Sequence, residues 1–233
     1  LSLQMQGDGS IVNPLVELFK AHQTAGFFRP GDYCPDAERF LPYPDTIHEV
    51  RRHLRLMEFL DIPLQGEELE FPTKPADTAR LKRLQHKYGL QSHRYIVVHP
   101  GAISARPWPP AAFAKVADAL APAGWQIVLT GTASEQTITA RVAAKMKHPV
   151  IDLAGVTDLG SLAALIRDAA LLVANDTGVS HVAAATRTPS VIIVTTSDPA
   201  RWAPLDRLLH RPVLQPAPAD WQSVVAAAVQ LLS

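Results

Sequence analysis

The chain has one cysteine, Cys34, in 233 residues, which excludes an intramolecular disulfide framework and a Cys-based metal cluster. It also lacks net charge. Lys+Arg 22 cancels Asp+Glu 22, so the basic field that draws a protein to DNA or RNA is missing and no nucleic-acid partner is expected. No apolar run reaches the roughly 18 residues of a membrane span, and no signal-peptide pattern opens the chain, which reads as cytoplasmic. Several catalytic signatures are absent as well. There is no G-x-G-x-x-G after a strand, no G-x-x-x-x-G-K-[ST], no G-x-S-x-G and no H-E-x-x-H. His48, His53, His86, His93 and His148 are scattered over charged helices and connectors, so no metal site is expected.

What is present suffices for a packed core, because 47% of residues are apolar and only 19% charged. The charge is unevenly divided. Residues 1–75 hold 7 basic and 12 acidic groups, net −5, and residues 76–233 hold 15 and 10, net +5, which mildly suits the second part to an anionic ligand. Leu1 opens directly on an alternating, strand-like pattern that runs into a glycine turn, as the interior of a longer chain would.

The first 75 residues read as a partial domain. A strand at 1–6 precedes a helix at 11–21, whose Ile11, Leu15, Leu18 and Phe19 share one face, and a short strand covers 24–27. Residues 29–45 lack periodicity and read as a loop, and 48–60 is amphipathic. A helix over 76–88, ended by Gly89, leads into a second domain, 76–233. From 94 the text alternates short β-branched runs (95–99, 126–130, 150–153, 171–175, 191–195) with helical stretches (110–120, 134–146, 159–168, 179–186), and a last helix covers 219–232. Continuously apolar strands separated by helices indicate a parallel, doubly wound α/β sheet covered on both faces. A ligand then sits outside the carboxyl ends of the strands.

Three loops at those ends carry chemistry. Asn175-Asp176-Thr177-Gly178-Val179-Ser180-His181 follows a buried strand and opens a small-residue helix. Asp176 or Thr177 can cap that helix, Gly178 removes a blocking Cβ, and the orphan N–H groups with the helix dipole favour an anion such as a diphosphate, to which His181 can donate. A plain capping turn with a satisfied histidine has the same spelling. His99-Pro100-Gly101-Ala102-Ile103-Ser104-Ala105-Arg106-Pro107-Trp108 offers close backbone approach at Gly101, a hydroxyl at Ser104 and the cationic fork of Arg106, or else a packed loop with Arg106 in solvent. In Gly131-Thr132-Ala133-Ser134-Glu135 the carboxylate either hydrogen-bonds a ribose diol or complements a helix N-terminus.

The order of these loops, P-G-A-x-S-x-R-x-W-P, G-x-x-x-E and N-D-T-G-x-x-H-x-A-A-A, followed by Asp198-Pro199-Ala200-Arg201-Trp202-Ala203-Pro204-Leu205, resembles the ADP-heptose:lipopolysaccharide heptosyltransferase family, glycosyltransferase family 9. The resemblance covers about 94–232, and residues 1–60 look like that family's amino-terminal domain. It implies a GT-B fold, with a Rossmann-like carboxy-terminal domain that binds a nucleotide-sugar donor, and inverting, metal-independent sugar transfer to a saccharide or glycolipid acceptor. By position, Arg106 would neutralise the donor diphosphate, Glu135 would hold the ribose, and Thr157 would meet the base. Asp176, Thr177, Gly178 and His181 would surround the diphosphate and sugar, with Gly101, Ser104, Gly131 and Thr132 completing the cradle. No cofactor is implied, and the setting is the inner face of the bacterial inner membrane, with peripheral association. The glycine-rich opening loop and the carboxylate base of the family are expected before residue 1, so that this segment alone would be inactive. Asp8, after the first strand, is the one base candidate in the right region. The rival readings are a nucleotide-sugar-binding homologue without turnover and an epimerase on the same fold.

Overall fold

The computed structural model describes residues 1–102 and 106–233. Two compact units divide the chain: Leu1–Glu67 with Ala200–Trp202, and Glu68–Pro199 with Ala203–Ser233. The division falls earlier than the composition shift near 75, because Phe71 already packs on the second unit's core.

The first unit is a three-stranded parallel sheet, β1 (Ser2–Gln4), β2 (Thr24–Phe28) and β3 (Phe40–Pro42), with helices α1 (Val12–Glu17) and α2 (Glu49–Phe59). β3 lies in the stretch expected to be loop. Helix α1 is shorter than its sequence pattern and differently turned. Asn13 and Val16 are buried, and the Asn13 amide donates to the Phe27 carbonyl at 2.9 Å. The apolar set Ile11, Leu15, Leu18 and Phe19 is therefore exposed, Ile11 at 80%. Arg52 is buried at 1% exposure, paired with Glu49 and the Tyr43 hydroxyl and stacked 4.5 Å over the Tyr43 ring. Arg201, also in this unit, donates to Glu49 at 3.1 Å and to the Tyr43 hydroxyl at 2.6 Å. A guanidinium withdrawn from water requires such a carboxylate.

The second unit comprises α3 (Pro75–Tyr88), β4 (Tyr95–His99), α4 (Pro110–Leu120), β5 (Gln126–Leu129), α5 (Gln136–Ala143), β6 (Val150–Asp152), α6 (Leu159–Arg167), β7 (Leu171–Asn175), α7 (Gly178–Ala185), β8 (Ser190–Val194), the start of the short α8 (Pro199–Trp202), β9 (His210–Leu214) and α9 (Trp221–Leu232). Its strands pair entirely in parallel in the order β6-β5-β4-β7-β8-β9. Alternation along the strands feeds two cores. Ile96, Val98, Ile127, Leu129, Leu171 and Val173 pack with α4 and α9, while Tyr95, Val97, Val128, Leu172 and Ala174 pack with α3 and α6. Helices thus cover both faces, and this is why the strands read as unbroken apolar runs. β9 was not legible as a strand because Pro212 interrupts it; it survives as an edge, where a missing N–H costs no ladder bond.

His210 is 2% exposed, with Nδ1 2.7 Å from the Ser190 hydroxyl, and burial pulls its pKa down to about 4. The neighbouring Arg187 and Arg207 push the same way, and Asp206 opposes them. The unfolded chain takes up this proton near pH 6.5 and the folded chain only near 4. Stability is therefore expected to fall as pH drops through that window, by about 3 kcal/mol from this residue. Urea unfolding between pH 8 and 4 checks it, and His210→Gln should flatten the acid-side decline.

Candidate functional site

In the second unit the strand order reverses between β4 and β7, which lie side by side with His99 opposite Ala174. The chain leaves β4 toward one edge of the sheet and β7 toward the other, so a crevice opens between their carboxyl ends. The loops after β4, β5, β6 and β7 all emerge at this rim because every strand is parallel. Gly101 and Arg106, then Gly131, Thr132 and Glu135, then Thr157, then Asp176, Thr177, Gly178 and His181 are brought to one edge in that way. Ser104 lies outside the described residues. Asp8 belongs to the first unit.

The corner after β7 is open. Thr177 is the N-cap residue of α7 with extended backbone (φ −150°), yet its side chain makes no cap bond, and its buried Oγ1 has no hydrogen-bond partner among the described residues. Asp176 does not cap the helix either. Its carboxylate accepts from the Ser197 hydroxyl and, at 3.4 Å, from that of Ser180, which bridges to the Thr177 carbonyl at 2.7 Å. The expectation that one of the two caps the helix is thereby corrected. Asp176 braces the corner, and neither it nor Thr177 covers the first-turn N–H groups, where the positive end of the helix dipole lies. Gly178 is exposed, and a Cβ there would meet nothing within 4 Å. An anion can approach this backbone, and His181, half-buried, sits in the same first turn.

Across the crevice, the loop after β4 is anchored by what it buries. Trp108 packs edge-on to Phe113 at 5.1 Å, and its indole N–H donates to the Pro216 carbonyl at 3.0 Å. Arg106, two residues earlier, is exposed. Gly101 has a packing role in the protein itself. A Cβ on it would stand 2.0 Å from Glu135 Oε1, so the glycine makes room for that carboxylate.

Glu135 itself closes a capping box, accepting from the Thr132 N–H at 2.7 Å and from its hydroxyl at 2.9 Å. Of its two expected roles the capping one is seen: Oε2 is used by the turn, and Oε1 lies against the Gly101 backbone. Behind them His99 is buried, its Nδ1 3.0 Å from the Thr130 hydroxyl. Burial lowers its pKa while Glu135 raises it, and burial prevails, keeping the imidazole neutral. Thr157, half-buried, directly precedes Asp158, which caps α6 through the Ser161 N–H at 2.8 Å.

A family model, glycosyltransferase family 9 (heptosyltransferase), matches residues 18–215. The chain belongs to glycosyltransferase family 9. Among its relatives, lipopolysaccharide heptosyltransferase 3 of Escherichia coli K12 is 29% identical over 198 residues, 83% of this chain and 57% of the relative. Lipooligosaccharide heptosyltransferase 2 of Haemophilus influenzae is 29% identical over 153 residues, 62% of this chain and 44% of the relative. The chain thus spans about half the length of the curated relatives it matches. Its fold is similar to that of a family 9 glycosyltransferase of Veillonella parvula, with TM-score 0.78 and 20% identity over 91% of this chain and 68% of that one. The E. coli ADP-heptose lipopolysaccharide heptosyltransferase II structure gives TM-score 0.75 and 22% identity over 99% and 75%. The GT-B type of fold expected from the loop motifs is therefore the fold of this family 9 chain.

The Gly101–Glu135 packing is separable by a double-mutant cycle. Gly101→Ala is expected to displace the Glu135 carboxylate and cost about 1–3 kcal/mol. In a Glu135→Ala background the same change should be nearly neutral, a coupling readable from chemical-denaturation midpoints.

Proposed function

We propose that this protein is a glycosyltransferase that moves a heptose-like sugar from a nucleotide diphosphate donor to a lipopolysaccharide or other surface-saccharide acceptor. The observation that carries this reading is the uncapped, glycine-opened N-terminus of α7 at the point where the sheet order reverses. A helix start of this kind takes an anion, and a diphosphate presents one together with a leaving group. The names of similar proteins, lipopolysaccharide heptosyltransferase 3 and ADP-heptose lipopolysaccharide heptosyltransferase II, support ADP-heptose as donor and lipopolysaccharide as acceptor.

In this proposal the bond between the anomeric carbon and the diphosphate oxygen breaks through an oxocarbenium-like transition state, and the acceptor hydroxyl attacks the opposite face, inverting the configuration. Negative charge grows on the departing diphosphate. Arg106, His181 and the first-turn N–H groups of α7 stabilise it in place of a metal ion, since dipoles fixed before the reaction cost no reorganisation during it. Thr157 would meet the base and Glu135 the ribose. The acceptor's proton must go to a general base. Asp8 is poorly suited to that role, because it accepts from the Ser10 N–H at 3.1 Å and from Arg29 at 2.9 Å, and these bonds lower its pKa. A carboxylate so held binds a proton weakly. A glycolipid acceptor would place the protein at the inner face of the bacterial inner membrane by peripheral association.

Binding of ADP is the direct test. At a hundredfold excess over its Kd, ADP should stabilise the protein by about 2.7 kcal/mol, seen as a raised melting temperature. Arg106→Ala should weaken ADP at least tenfold, read by calorimetry on protein whose melting transition shows that it is folded. Equal melting curves with and without ADP, UDP and GDP would remove the donor site.

A further inference from the structure

Asn175 ends β7 and is 2% exposed. Its backbone is held in the sheet, with Asn175 opposite Ile193 of β8 and the next N–H, of Asp176, bonded to the Ile193 carbonyl at 3.0 Å. Its side chain serves the neighbouring strand's loop. Nδ2 donates to the Pro100 carbonyl at 2.8 Å, and Oδ1 accepts from the Trp108 N–H at 3.3 Å. Pro100 and Trp108 stand on either side of the segment that carries Gly101 and Arg106.

The chemistry of these two bonds singles out asparagine. One partner is a carbonyl and the other an N–H, so the side chain must donate on one side and accept on the other, and only one orientation of the amide does both. An aspartate ion has no hydrogen to give Pro100. It would set a charge against a carbonyl dipole in a dry place, and glutamine would carry the amide one methylene too far. Both loop ends are buried backbone groups, whose loss of partners would be costly.

We infer that Asn175 is a positioning residue of the donor site, holding Pro100 and Trp108, the described residues that flank Gly101 and Arg106, and so setting how Arg106 is presented to a donor. The inference rests on the donor-site reading above and adds a residue that touches no donor group. Three positions separate Asn175 from Gly178, so a single side chain ties the Arg106 loop to the strand from which the anion-binding corner springs. Affinity for a diphosphate then depends on one neutral amide held out of water.

Asn175→Asp tests this, with ADP binding measured by calorimetry at pH 8 and pH 5.5 and melting temperatures recorded in parallel. At pH 8 the ionised side chain cannot donate to Pro100, and the Kd for ADP should rise at least tenfold over the unsubstituted chain. A carboxylate in this setting has a raised pKa. At pH 5.5 it regains an O–H that replaces the amide donor, and the difference should shrink to under threefold. Asn175→Ala, which restores nothing, should stay weak at both pH values. Each Kd is taken as a ratio to that of the unsubstituted chain at the same pH, with Asn175→Ala as the uncharged control.

A purely structural role would lower the melting temperature without a pH-reversible change in Kd, and that result, or equal Kd values at both pH values, would overturn the inference. The unsubstituted chain gives a second reading. Its Asn175 side-chain amide should exchange slowly with solvent and shift in the NMR spectrum when ADP is added; rapid exchange and no shift would count against the inference. Failure of the unsubstituted chain to bind ADP at all would instead sink the donor site, and this inference with it.

Discussion

The parallel pairing of β4 with β7 is the contact on which the rest depends. Because the two strands run the same way and their onward connections diverge, their carboxyl ends cannot be closed over by a tight turn. The backbone leaves a crevice there, and the residues that follow each strand are delivered to its two sides. The ladder is built from Ile96, Val97 and Val98 against Leu171, Leu172 and Val173, all fully buried, and the helices packed on both faces shield it from solvent. Weakening this pair would move the two halves of the site apart before it touched any group that binds a ligand.

Around that crevice the side chains divide their labour. Asp176, Glu135 and His99, which by type could do chemistry, are largely engaged with the protein: Asp176 with two serine hydroxyls, Glu135 with a turn, His99 with Thr130 behind the rim. In the reading proposed above, a ligand meets mostly backbone at the start of α7. Such an arrangement suits a diphosphate, whose charge is spread over several oxygens and is better met by fixed N–H dipoles than by one strong partner. It also explains why so many small residues gather at the rim.

Much of this was readable from residue order. The buried strands declared themselves because both of their faces are apolar, and helix ends were marked by Gly89 and by the prolines before α4. The missed strands, β3 and β9, are both sheet edges that contain a proline, Pro42 at the end of β3 and Pro212 within β9. Their pairing with the preceding strand, rather than any preference of their own, makes them strands, so no local pattern reports them. The exposed apolar face of α1 failed for a related reason. Periodicity says that residues share a face, and only packing says which face is turned inward; here the bond from Asn13 to the Phe27 carbonyl turned it the other way.

Composition, the alternation of strand and helix and the spelling of three loops were enough to determine a doubly wound sheet and the family. These properties are local, since each follows from hydrogen-bonding and burial preferences repeated over a few residues. What only tertiary structure decided is which polar groups are already spent. That Gly101 yields space to Glu135, that Asp176 braces instead of capping, and that Asn175 reaches two backbone groups 75 and 67 residues away are matters of distance between segments remote in the chain. A side chain's chemistry is written in its type, but whether that chemistry is free depends on its neighbours.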